Sequence, residues 1–74
     1  MTKMENYNLS RSEWENLIDE YIIGDKAYRN REMLKDNLLD GRCYEWIAEK
    51  DDMSTRQVAR LIPKLQEKLF NRIK

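Results

Sequence analysis

Tyr44-Glu45-Trp46-Ile47-Ala48-Glu49-Lys50-Asp51-Asp52-Met53-Ser54-Thr55-Arg56-Gln57-Val58-Ala59-Arg60-Leu61-Ile62 is the stretch that decides the fold. Tyr44, Ile47 and Ala48 mark one face of a helix of about seven residues, and Asp51-Asp52-Met53 interrupts it. Ser54 and Gln57 then form a capping box, the reciprocal pairing that starts a helix. Val58, Leu61, Ile62, Leu65 and Leu69 continue an apolar face through the segment that follows. A short helix, a tight three-residue turn and a capped second helix, with Ala48 small enough to let the two approach, predict a helix-turn-helix at about residues 43–62. A plain helical hairpin in a small bundle has the same spacing. Pro63 removes a backbone donor and crowds the turn before it, which predicts a kink or break near Ile62 and a restart at Pro63 itself.

Working outward, Leu9-Ser10-Arg11-Ser12-Glu13-Trp14 carries a first capping box, Ser10 with Glu13, and Leu9 can staple onto Trp14. Trp14, Leu17, Ile18, Tyr21 and Ile22 make one apolar stripe, so helix one is expected from about residue 11 to 23, with Gly24 as terminator. Asp25 is expected to cap a second helix whose face is Ala27, Tyr28, Leu34, Leu38 and Leu39, with Met33 at the stripe's edge and Gly41 as the stop. Nowhere does the chain alternate as a strand does. The expectation is all-α: one domain of four to five helices over residues 9–74, preceded by a flexible stretch at 1–8.

The chain has 74 residues, enough for one small core because a domain of this size buries only about 60% of its unfolded surface. Its longest run free of charge is five residues, 6–10, against the roughly 20 apolar residues of a membrane span, and no secretory signal opens it. A cytoplasmic protein is expected. There is no histidine and a single cysteine, Cys43, which excludes an internal disulfide and the usual zinc sites. Cys43 reads as a small half-buried residue at a helix start. Without histidine the Ser-His and Cys-His nucleophile pairs are gone, and a chain this short has little wall for a cleft that would shift a carboxylate pKa. Neither an enzyme nor a cofactor nor a metal is expected.

Fourteen Lys+Arg balance fourteen Asp+Glu, but unevenly along the chain. Residues 1–25 carry a net −4 and residues 26–52 a net −1, whereas residues 53–74 hold Arg56, Arg60, Lys64, Lys68, Arg72 and Lys74 against Glu67 alone, a net +5. Arg56, Arg60, Lys64, Lys68 and Arg72 recur every four residues, a row along one side of a helix that suits a phosphate backbone. A solvated face favoured by the helix dipole is the plainer reading. In a helix-turn-helix the second helix shows its N-terminal turns to base edges. Thr55, Arg56, Gln57, Ala59 and Arg60 would face out, Arg56 pairing with guanine and Gln57 with adenine unless the cap occupies it. Lys64, Lys68 and Arg31 would anchor phosphates. Trp46 lies off its helix's buried face, either packed under helix one or exposed to a partner.

Residues 33–70 resemble region 4 of bacterial sigma factors, and more narrowly the small sigma-like proteins of phages and mobile elements. The likeness rests on Leu38-Leu39-Asp40-Gly41, on residues 44–49, on Met53-Ser54-Thr55-Arg56-Gln57-Val58-Ala59-Arg60, and on Lys64 with Lys68-Leu69. It implies base or phosphate contact from Thr55, Arg56, Ala59 and Arg60, and backbone contact near Arg42 and Tyr44. Trp46 stands where the family usually has an acid, Ala59 replaces a common basic reader, and Pro63 falls in a normally continuous helix. The partner expected is double-stranded DNA, with RNA polymerase or another host protein, or a second copy of the chain docked through helix one, adding affinity. The alternative is a protein-interaction module that binds a host protein through its acidic N-terminal helix and uses the helix-turn-helix as scaffold.

Overall fold

The computed structural model describes residues 8–72. Four helices follow in order: α1 (Arg11–Tyr21), α2 (Ala27–Leu38), α3 (Tyr44–Lys50) and α4 (Thr55–Arg72), with no strand among the described residues. Of the flexible stretch expected at 1–8, residues 1–7 lie outside the described part of the chain.

The start of α1 is the predicted capping box. Ser10 Oγ accepts from the Glu13 amide at 3.2 Å and Glu13 Oε1 accepts from the Ser10 amide at 2.9 Å. That amide bond holds the Glu13 carboxyl below its ordinary range. The helix stops at Tyr21, two residues earlier than the pattern predicts, because Ile22 turns to extended backbone and buries its side chain in the core. Arg31 closes this end, its Nε donating to the Ile22 carbonyl at 2.7 Å. Asp25 does not cap α2. The N-cap is Lys26, in the left-handed region at φ 58°, with no side-chain cap, and the Ala27 amide bonds back to the Gly24 carbonyl at 3.2 Å. That turn places Asp25 one residue too early to reach the first amides of the helix.

Two apolar clusters form the core, and α4 belongs to both. Trp14, Ile18 and Ile22 pack with Leu34 of α2 and with Leu65, Leu69 and Phe70 of α4, the Trp14 and Phe70 rings meeting edge to face at 5.9 Å. Met33 of α2, Ile47 and Ala48 of α3, and Val58 and Ile62 of α4 make the second, and Leu61 lies against each. Because α2 touches one cluster with Leu34 and the other with Met33, its buried sector lies between these two, and Met33 is in the core rather than at an edge. Tyr28, six and five residues earlier, then points nearly opposite at about 100° per residue, and it is 74% exposed rather than packed.

Pro63 neither breaks nor ends α4, which runs unbroken from Thr55 to Arg72. The amide that proline lacks would have bonded to the Ala59 carbonyl. Both residues are on the exposed side, where water can take that carbonyl, while Ile62 and Leu65 on either side are buried, one in each cluster. Packing on both flanks holds the helix through a residue that local propensity disfavours.

Candidate nucleic-acid interface

Residues 51–54 join α3 to α4. The Asp51 amide bonds to the Ile47 carbonyl at 2.9 Å, Asp52 takes the left-handed conformation at φ 55°, and the Met53 amide returns to the Ala48 carbonyl at 2.8 Å. Aspartate tolerates this backbone region better than most residues. The second capping box then forms, with Gln57 N–H donating to Ser54 Oγ at 3.1 Å and Ser54 N–H donating to Gln57 Oε1 at 3.0 Å. The cap therefore engages the oxygen that a bidentate pair with adenine would use.

Along α4, Arg56, Arg60, Lys64, Lys68 and Arg72 are all exposed, and none forms an ion pair with a described residue. Elsewhere the ion pairs use cations that precede α4: Arg11 with Asp40 at 2.7 Å and Glu15 at 3.5 Å, Lys35 with Asp19 at 2.8 Å, and Lys50 with Asp36 at 2.7 Å. Each i+4 step advances about 40° around the axis. Arg56, Arg60 and Lys64 therefore lie opposite the buried side made by Val58, Ile62, Leu65 and Leu69, and Lys68 and Arg72 drift onto the flank. Thr55 and Ala59 are exposed on the same first turns.

The remaining candidates are more scattered. Tyr44 is half-buried against the second cluster, and Arg42 is exposed just before α3. Arg31 is half-buried and its Nε is engaged by the Ile22 carbonyl at the end of α1. Cys43 is exposed as the N-cap of α3, correcting the half-buried expectation, because the burial of α3 begins at Tyr44.

Trp46 does not pack under α1. Ile47 and Ala48 hold α3 against α2 and α4, and Trp46 projects from the outer side, 39% exposed. The Arg42 guanidinium carbon sits 4.5 Å from its ring centroid and the Lys50 ammonium 5.5 Å. Lys50 also bonds to Asp36, a residue only 7% exposed, and this bond raises the Lys50 pKa above its ordinary value. The pair joins α2 to α3 across fourteen residues of sequence. The spacing of Arg42, Trp46 and Lys50 at i, i+4 and i+8 was the available signal for the aromatic–cation arrangement.

Trp46, Glu49 and Lys50 also line an open depression of about 330 Å³. Among the described residues no group of three or more Asp, Glu, Cys or His could hold a metal ion, and no helix is long and apolar enough to cross a membrane. No protein-family model, curated protein or solved structure matches the chain.

Proposed function

We propose that this chain is a sequence-specific DNA-binding protein that regulates transcription in the cytoplasm, with α3 and α4 as a sigma region 4-like helix-turn-helix. The observation that carries the reading is the row of exposed cations on α4, without an ion pair among the described residues, which begins at the capped N-terminal turn. A major groove about 12 Å wide admits the start of such a helix and not its full length. Arg56 and Arg60 are the base readers, with Thr55 and Ala59 beside them, Ala59 offering its methyl to thymine. Lys64 and Lys68 rise out of the groove onto phosphates, and Arg42 reaches a phosphate from the start of α3. Gln57 serves the cap first. Three phosphate contacts give a salt slope of about −2.7 in log K against log salt.

One module of this kind covers roughly 600–1,000 Å² of protein surface, so RNA polymerase or a second copy of the chain supplies further affinity. Fluorescence anisotropy against a random duplex pool and against the DNA upstream of the chain's own gene tests the reading. Binding should favour one sequence and weaken with salt, and Arg56→Ala with Arg60→Ala should remove the preference. Failure to bind either DNA at low salt refutes it.

A second reading is a module that docks on a basic host protein. Ile23 and Tyr28 are 64% and 74% exposed around the turn between α1 and α2, near Glu20 and Asp25, which form no ion pair with a described residue. In that case a pull-down survives Arg56→Ala/Arg60→Ala and is lost with Ile23→Asp/Tyr28→Asp.

A further inference from the structure

We propose that Trp46 is a positioning residue, whose indole holds the Arg42 guanidinium in place as a phosphate clamp at the start of α3. The inference rests on the DNA-binding reading and deepens it. Arg42 is fixed at both of its backbone groups. Its amide donates to the Asp36 carbonyl at 2.9 Å, and its carbonyl accepts from Asn37 Nδ2 at 3.3 Å. Asn37 is in turn tied to α4, its Oδ1 accepting from Gln66 Nε2 at 2.8 Å. The side chain then lies over Trp46 with its guanidinium carbon 4.5 Å from the ring centroid.

Trp46 is itself held, since the Lys50 ammonium 5.5 Å from its ring is pinned by the buried Asp36 carboxylate at 2.7 Å. Arg42 has no ion-pair partner among the described residues, so its charge remains for an outside anion. A guanidinium carries five N–H donors, more than one ring can engage, so donors remain for phosphate oxygens. A long exposed arginine ordinarily loses rotamer entropy on binding; one already lodged on a ring loses less. The charge suits an anion, and its place just before α3, the helix next to α4, makes that anion the backbone of the same duplex.

The test is a salt series of duplex-binding measurements on wild type, Arg42→Ala, Trp46→Ala, Trp46→Phe and the double variant Arg42→Ala/Trp46→Ala. Circular dichroism melts confirm that each is folded. Loss of one phosphate contact lowers the slope by about 0.9, which weakens Arg42→Ala about fifteenfold at ~50 mM salt and about fourfold at ~200 mM, taking ~1 M as the point where the contact vanishes. Trp46→Ala should lose part of the same salt-dependent affinity, Trp46→Phe should restore it, and the double variant should bind no worse than Arg42→Ala alone. Independent, multiplying effects of the two substitutions overturn the proposal. So does an unchanged slope in both while Arg56→Ala/Arg60→Ala lowers affinity, a result that leaves the DNA reading standing. If wild type binds no duplex at low salt, the DNA reading fails and the clamp with it.

Discussion

Replacing Lys50 with methionine should destabilise the fold more than replacing its partner Asp36 with asparagine, although each change removes one charge of the same 2.7 Å pair. The asymmetry follows from exposure. The Asp36 side chain is 10% exposed and that of Lys50 42%. Deprived of Asp36, the ammonium turns into water; deprived of Lys50, the carboxylate is left without its partner where water scarcely reaches. Breaking a fully buried pair costs about 3–5 kcal/mol, and with one partner half in solvent about 2 kcal/mol is expected for Lys50→Met. Methionine keeps the length and apolar stem of the side chain against Trp46, so the change reports the charge. Asp36→Asn retains an oxygen for Lys50 and should cost about 1 kcal/mol. Asp36→Leu/Lys50→Met, which removes both charges, should fall within about 1 kcal/mol of wild type. For a domain of this size 2 kcal/mol lowers Tm by about 8–16 °C, within reach of circular dichroism, and urea titration gives the free energies directly. Equal losses from Lys50→Met and Asp36→Asn, or a double variant as unstable as the sum of the singles, would refute the reasoning.

Pro63→Ala restores the missing donor in an exposed helix interior and should raise stability by about 1–3 kcal/mol, read as a higher urea midpoint with the same m-value. Ser54→Ala removes the cap of α4, should cost about 1 kcal/mol, and should speed hydrogen exchange of the first turn while leaving α1 unchanged. Phe70→Ala empties the edge-to-face partner of Trp14 and should cost about 3–5 kcal/mol, with a red shift of the Trp14 emission. The Lys50 pKa is raised by Asp36, so its contribution is complete below the ordinary value of 10.5 and is lost as pH rises through the higher folded value. Stability measured from pH ~8 to ~12 should therefore fall less steeply in Lys50→Met than in wild type.

The all-α class and three of the four helix starts were legible because each start has a local cause. Ser10 with Glu13 and Ser54 with Gln57 are chemical devices of four residues, and α3 shows its face within seven. What escaped the sequence depends on contacts across elements. Nothing local reveals that Lys26 adopts a left-handed backbone and displaces Asp25 as cap, since the turn is set by how α1 and α2 must meet around Ile22 and Leu34. Pro63 read as a breaker because propensity sees one residue, whereas Ile62 and Leu65 secure the helix from two clusters. No local pattern reveals the burial of Asp36, because its partner lies fourteen residues away on another helix. Of the candidate site, the α4 row was readable from its period of four, while the Trp46 arrangement needed the loop between α2 and α3 to fold back and deliver Arg42.

The acids beside the candidate interface bear on which way a duplex can lie. Glu45 and Glu49 stand one turn apart on α3, exposed and without an ion pair among the described residues, and Trp46 and Lys50 follow them by one position each. At about 100° per residue the outer side of α3 is thus divided lengthwise into an acidic ridge and an aromatic–cationic one. Asp52 adds an exposed negative charge at the turn. Such acids weaken a phosphate contact, but repulsion discriminates between poses as effectively as attraction does. In the DNA reading, a backbone that follows Arg42 and α4 keeps clear of Glu45 and Glu49, whereas the duplex rotated onto the other ridge meets both. Within that reading, the zero net charge hides a separation of the two signs: among the described residues, cations before α4 are partly neutralised by internal pairs, the row on α4 has no ion pair, and the exposed acids of α3 would disfavour one of the orientations that row alone would allow.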